Sequence, residues 1–394
     1  MPMSKRPAVI VKPREGRRAR AGAPWIFSNE IAMDQGAKAL APGAVVDVKF
    51  DDGQEVGSGF FNPKSLIGVR LFARKTGVAA DETFFAGRLT HALALRERFY
   101  GRPFYRLVHA EGDGLPGLVI DRFADVLVVQ ITIAGMEESL PALLAALNKV
   151  VGPETIILRN DAPSRALEGL ESYVRVAQGA ASRVAVEENG ARYFADLGQG
   201  QKTGWYYDQR DNRAFVAGLA KGRTVLDAYS YTGGFGILAA KAGAKEVICL
   251  DSSEAALKLA EDSAAASQVS VRAVQGDVFE EMARLGTAKE KFDIVLADPP
   301  PFVKSRKDLE PGAKAYRKLA RLSAEITAPG GLLLLASCSH NIPLDRFAAE
   351  CAAGILKSGR TASLIHSAGA GADHPVHPML PETAYLKALV YALD

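Results

Sequence analysis

Apolar and polar positions along this 394-residue chain change period more than once. Ala44 to Phe50 alternates apolar and polar residues, Asp51-Asp52-Gly53 supplies a turn, and Glu55 to Phe61 returns. That pattern predicts a hairpin inside a small β-rich module, with Trp25, Phe27, Phe60 and Phe61 in its core. From Asp81 to Tyr100, the residues Phe84, Phe85, Leu89, Leu93 and Leu95 predict a helix. Strands are expected at Tyr105 to Ala110, Leu118 to Asp121, Asp125 to Ile133 and Thr155 to Arg159, with a helix from Met136 to Val150. From about residue 186, strand-like runs alternate with helical ones: Thr224 to Asp227, Glu246 to Asp251, Val271 to Gly276, Phe292 to Ala297 and Gly331 to Ser337. Such alternation predicts a parallel sheet covered by helices on both faces. Ala362 to His366 and Tyr385 to Leu393 are expected to add an antiparallel pair at its edge. The reading divides the chain at 1–75, 76–185 and 186–394.

Composition excludes several classes. With 48% hydrophobic and 24% charged residues, the chain is neither disordered, collagenous nor a coiled coil. No apolar run approaches the ~20 residues that span a bilayer, and the basic start lacks a secretory apolar core. Three cysteines cannot make a disulfide framework, so a cytoplasmic setting without a membrane is expected. Net charge is +3, but residues 1–75 hold 13 Lys and Arg against 7 Asp and Glu. Lys12, Arg14, Arg17 and Arg18 belong to this first cluster. A second, from Pro301 to Glu325, includes Lys304 and Arg306. Two such clusters suit phosphate neutralisation and make nucleic acid a candidate partner.

The expected strand ends carry acids: Asp227, Asp251, Asp277 and Asp298. In open α/β sheets, ligands bind at these carboxyl ends. Gly234-Phe235-Gly236-Ile237-Leu238-Ala239 matches a dinucleotide fingerprint, but a carboxylate in the same crevice opposes a pyrophosphate. S-adenosylmethionine fits better, because its sulfonium and ammonium favour a carboxylate and its own carboxylate suits a helix N-terminus. Asp251 would meet the ribose hydroxyls, Asp277 the adenine amino group. Asp227, Tyr231, Thr232, Gly233 and Gly234 complete the candidate pocket. Each acid taken alone reads equally well as a strand-end or cap residue.

The fourth strand leads into Asp298-Pro299-Pro300-Pro301-Phe302, the fifth into Ser337-Cys338-Ser339. Consecutive prolines fix the backbone, so Asp298 can hold the edge of a flat base and Phe302 can stack on its face. Cys338 is the candidate nucleophile. Carbon 5 of a pyrimidine accepts a methyl group once a thiolate has added at carbon 6. Cys249 and Cys351 are read as core residues. His374 and His377 lack further ligands at metal-binding spacing, so no metal is expected.

Gln201 to Arg213, Asp227 to Gly236, Asp298 to Phe302, Ser337-Cys338-Ser339, Glu111 to Asp121 and Leu380 to Lys387 together resemble the bacterial large-subunit (23S) ribosomal RNA cytosine-5 methyltransferases. The resemblance implies a Rossmann-like class I methyltransferase domain, preceded by a β-rich PUA domain that binds RNA and a small central α+β domain. It implies S-adenosyl-L-methionine as cofactor and large-subunit ribosomal RNA or its precursor as partner, and it admits a homodimer. Cys338 matches the family's nucleophile and Asp298 its motif-four acid. The Gln201 to Arg213 segment would cover the cofactor pocket through Asp208 and Arg210, unless Arg210 anchors the segment instead. The competing readings are a guanine methyltransferase without covalent catalysis, a small-molecule methyltransferase, and a non-catalytic ribosome assembly factor.

Overall fold

A computed structural model describes residues 6–180, 183–198, 200 and 203–394. The chain forms two compact units. The first comprises Met1–Ser182, Leu197–Trp205 and Ala372–Thr383; the second comprises Arg183–Asp196, Tyr206–Gly371 and Ala384–Asp394. Residues 197–205 and 372–383, read from sequence as part of the last domain, thus pack with the first unit.

The first unit contains two five-stranded sheets. In one, Ala44–Phe50 and Glu55–Phe61 pair antiparallel around the expected turn. Val9, Val46, Val48, Phe61, Val69 and Leu71 fill its core, while Trp25 and Phe27 are half-buried. The other sheet runs Tyr173–Gln178, Thr155–Asn160, Val126–Ile131, Leu118–Phe123, Phe104–His109. The helix Glu82–Phe99 starts where Asp81 accepts a hydrogen bond from the Phe84 N–H at 2.9 Å, satisfying one orphan donor. It buries Phe85 and Leu89. The single helix expected over Met136 to Val150 is instead two, Ala134–Glu138 and Leu140–Val150. Pro141 has no N–H to continue a helix and sits in the first turn of the second, where none is needed.

The second unit carries a seven-stranded sheet. Its strands are β1 (Thr224–Ala228), β2 (Glu246–Asp251), β3 (Arg272–Gln275), β4 (Phe292–Ala297), β5 (Thr327–Ser337), β6 (Ala362–Ala368) and β7 (Lys387–Leu393). The order is β3-β2-β1-β4-β5-β7-β6. The first five are parallel, and β7 lies antiparallel between β5 and β6. The edges are therefore β3 and β6. Val225, Leu226, Ile248, Val295 and Leu333 are buried within the sheet, as parallel strands covered on both faces require. The order reverses between β1 and β4, which opens a crevice at the carboxyl ends of these strands.

Sequence reading did not name one hairpin of this unit. Arg183–Glu188 and Ala191–Asp196 form a hairpin in the second unit. Its turn is Asn189-Gly190, with φ of 50° and 78°. Two left-handed residues make the turn whose twist matches flanking strands, and Asn-Gly is its strongest sequence signal.

Candidate active site

Asp227 lies within β1 and is buried. Its Oδ2 accepts the Gly236 N–H at 2.8 Å, so a carboxylate already occupies the helix N-terminus where a pyrophosphate would bind. Burial pushes its ionisation up to about 7, helped by the neighbouring Asp298 charge and opposed by the Gly236 hydrogen bond. The loop that follows is bent sharply: Tyr229 and Tyr231 adopt φ of 60° and 49°, a left-handed conformation that is costly for a bulky side chain. Asp251 holds it there. One oxygen accepts the Tyr231 N–H at 2.8 Å and the other the Ser253 N–H at 2.9 Å.

The glycines of this loop answer to packing. A Cβ on Gly234 would stand 2.7 Å from Arg213 Nε, and one on Gly236 2.7 Å from Cys249 Sγ. One on Gly233, which has φ of 78°, would stand 2.9 Å from Ile237. Their side-chain positions are thus taken by protein, which removes the dinucleotide reading of the fingerprint. Ser230 Oγ and Thr232 Oγ1 are buried and make no hydrogen bond. Two orphaned hydroxyls beside a strained loop, with carboxylates on β1 and β2, suit a ligand carrying hydroxyl, amino and carboxylate groups. Asp277 is the exception among the strand-end acids. It is exposed and caps the next helix, accepting the Glu280 N–H at 3.0 Å.

Residues 206–213 bind the site together. Gln209 Nε2 donates to Asp298 Oδ2 at 2.8 Å, and Asn212 Nδ2 donates to Gln209 Oε1 at 2.6 Å. The Tyr385 hydroxyl donates to Asp208 Oδ2 at 2.6 Å. Glu188, on the missed hairpin, pairs with Arg210 at 3.4 Å and with Arg213 at 2.5 Å. Arg213 also donates to the Tyr206 carbonyl, so this segment is pinned by a buried ion triad. Arg210 anchors it, the alternative the sequence left open. Tyr206 is enclosed beside Tyr231, and burial together with Tyr231, Asp208, Asp298 and Cys338 drives its hydroxyl strongly upward. Gln201 and Lys202, part of the segment singled out from sequence, lie outside the described residues.

Cys338 directly follows β5 and is half-buried, whereas Cys249 and Cys351 are fully buried. Its serine neighbours are structural. The Ser337 hydroxyl donates to the Tyr316 oxygen at 2.8 Å, which lies 3.1 Å from Ser339 Oγ. Ser339 Oγ accepts the Val303 N–H, so the turns after β4 and β5 share one hydroxyl network. Lys387, which sequence reading gave no role, donates to the Ser339 carbonyl at 2.6 Å. Phe302, expected to stack on the base, packs against Tyr316 and Phe279 at 4.8 and 5.9 Å. His340 lies over Tyr385.

The basic clusters divide. Lys304, Arg306, Lys307 and Lys314 are exposed and form no ion pair among the described residues. Arg317 and Arg321 are neutralised by Glu350 and Glu325, and Lys318 lies over Phe279. In the first unit, Lys12, Arg14 and Arg17 are exposed, Lys12 donating to the Asn29 carbonyl. Arg18 is committed to a bidentate bond with Glu382 at 2.8 and 2.9 Å. His374 is paired with Asp373 and packs against His109. Among the described residues no cluster of metal ligands forms and no helix is long and apolar enough to cross a membrane.

Comparison with known proteins fits this geometry. Residues 106–392 match an S-adenosylmethionine-dependent methyltransferase family, and residues 9–74 match a PUA-like domain. The ribosomal RNA large subunit methyltransferase I of Shewanella denitrificans is 37% identical over 390 residues, covering 97% of this chain and 98% of that protein. The protein of the same name from Alteromonas mediterranea is 36% identical over 389 residues, with the same coverage. A methyltransferase candidate solved in complex with SAH superposes with a TM-score of 0.84 over 98% of this chain and all of its own, at 22% identity. The chain belongs to the S-adenosylmethionine-dependent methyltransferase family, with a Rossmann-like domain behind an amino-terminal PUA-like domain and S-adenosylmethionine as its cofactor.

Proposed function

We propose that this enzyme methylates carbon 5 of a cytosine in large-subunit ribosomal RNA, through a transient bond between Cys338 and carbon 6 of the base. The observation that carries the reading is a half-buried thiol at the end of β5, next to the Asp298 strand end, while the other two thiols are sealed in the core. The substrate follows from two relatives at 36–37% identity across almost the whole chain, both ribosomal RNA large subunit methyltransferases I. A cytoplasmic setting follows from that substrate.

Bound S-adenosylmethionine supplies an electrophilic methyl group. Ser230, Thr232 and Asp251 would hold it at the ends of β1 and β2, under the segment that Arg210, Arg213 and Glu188 pin in place. Asp208 and Tyr385 close the other side of that segment. The Cys338 thiolate adds to carbon 6, forming a C–S bond and moving the C5=C6 electron pair onto carbon 5. Carbon 5 takes the methyl group and then loses its proton to a base, Asp298 or a water. The returning pair re-forms C5=C6 and expels the thiolate. Gln209 and Asn212 orient Asp298 toward the edge of the base. Lys304, Arg306, Lys12, Arg14 and Arg17 contribute phosphate contacts, and the PUA-like module (1–75) serves RNA recognition, with the central α+β domain (76–185) between it and the catalytic domain (186–394).

Mapping modified cytosines in ribosomal RNA from a strain lacking this protein tests the reading. One 5-methylcytosine should disappear from the large-subunit RNA and return on complementation. An unchanged cytosine map, with a methylated guanine lost instead, would favour the non-covalent alternative.

A further inference from the structure

Lys387 opens β7 directly opposite Ser337 on β5, in antiparallel register. The two residues beyond Ser337 are the candidate nucleophile and Ser339, whose carbonyl accepts the Lys387 ammonium. Lys387 is 9% exposed, and no carboxylate lies within ion-pair distance of it among the described residues. A buried ammonium with no counter-charge is costly to keep. An ionised Cys338 sulfur would favour the ammonium where burial disfavours it.

We propose that Lys387 is the electrostatic partner of Cys338, its ammonium favouring the thiolate while its bond to the Ser339 carbonyl fixes the turn that carries the sulfur. The inference rests on the reading of Cys338 as nucleophile. Attraction is mutual: whatever the thiolate does to hold the ammonium, the ammonium does to hold the thiolate. On ionisation the proton leaves Sγ for water, and the anion that remains has a cation beside it. The hydroxyls of Tyr316 and Tyr206 also feel this sulfur, and burial keeps both protonated. Asp298 follows the neighbouring strand, with Gln209 donating to its carboxylate. Lys387 is thus a positioning residue that acts through Cys338.

The rate of Cys338 alkylation by iodoacetamide, followed from pH 6 to 10 on the full-length protein, reports the thiolate fraction directly. Cys338→Ser sets the background, since Cys249 and Cys351 are buried. The wild-type inflection should fall below the ~8.5 of a free thiol. Lys387→Met, close in shape and uncharged, should raise the inflection by about one unit, lowering the rate at pH 7.5 by about three- to ninefold. Lys387→Arg should restore it. An inflection unmoved in Lys387→Met, or a wild-type inflection at or above ~8.5, would overturn the proposal; the wild-type measurement needs no substitution. If Cys338→Ala still methylates RNA while Lys387→Met moves the inflection, the nucleophile reading fails and the pairing stands. If methylation requires Cys338 and the inflection does not move, the pairing alone fails.

Discussion

The carboxyl group of Asp227 is enclosed on β1, and burial pushes its ionisation up to about 7. The native state therefore keeps a proton that the unfolded chain, with a value near 3.8, releases. Stability from this group is present at low pH, declines as pH rises from about 4 to about 7, and stays lost above that window, at up to about 1.4 kcal/mol per unit. Asp227→Asn cannot ionise, yet its carbonyl can still accept the Gly236 N–H. Without cofactor, the stability of this variant relative to wild type should rise across that window and level off above pH 7. Denaturant unfolding at a series of pH values checks it, and a difference that stays flat from pH 4 to 8 would refute the assignment. At this scale the sequence exposed the acids and the thiol, because a strand end is a position the hydrophobic pattern marks. It did not expose their partners. Gln209 reaches Asp298 across 89 residues, and the periodicity of one segment carries no record of such a contact. The same limit hid the bond of Lys387 to the Ser339 carbonyl, while the helix cap that Asp277 forms is a local one.

The hairpin Arg183–Glu188 with Ala191–Asp196 supplies Glu188, which faces both Arg210 and Arg213. All three side chains are largely buried, Glu188 completely. Removing the shared anion strands two guanidinium groups away from water. Glu188→Ala should therefore cost about 3–5 kcal/mol in urea unfolding and weaken S-adenosylmethionine binding by calorimetry, because the Tyr206 to Arg213 segment loses its anchor. A loss below about 1 kcal/mol, within the range of an exposed pair, would show the triad to be dispensable. The hairpin was legible in principle: Asn189-Gly190 is a strong turn signal between two alternating runs. It was overlooked because it sits at the expected boundary near residue 185, where the pattern changes from short strands to strand-helix alternation. By contrast, Ala44–Phe50 and Glu55–Phe61 were read correctly, since their alternation is long and the turn lies in their middle. The break between Ala134–Glu138 and Leu140–Val150 required attention to Pro141 rather than to apolar spacing.

For the molecule as a whole, a net charge of +3 conceals an excess of bases in residues 1–75, and the fold decides which of them remain available. Arg18, Arg317 and Arg321 are paired with carboxylates, while Arg14, Arg17, Lys304, Arg306, Lys307 and Lys314 stay exposed. Counting charges along the chain identified the basic regions but could not separate neutralised arginines from accessible ones, because Glu382 and Glu350 reach them from distant segments. The fold class was legible from alternation alone, and the PUA-like module needed resemblance. The central claim joins all three scales: a thiol held at one strand end adds to a pyrimidine brought there by the rest of the chain. Its most direct test is incubation of the full-length protein with S-adenosylmethionine and large-subunit ribosomal RNA containing 5-fluorocytidine. Fluorine at carbon 5 cannot leave as the proton does, so the account predicts a covalent protein–RNA adduct that maps to Cys338 and is absent from Cys338→Ala. Methylated natural RNA formed by an active Cys338→Ala enzyme, with no adduct to the fluorinated RNA in the wild type, would contradict it.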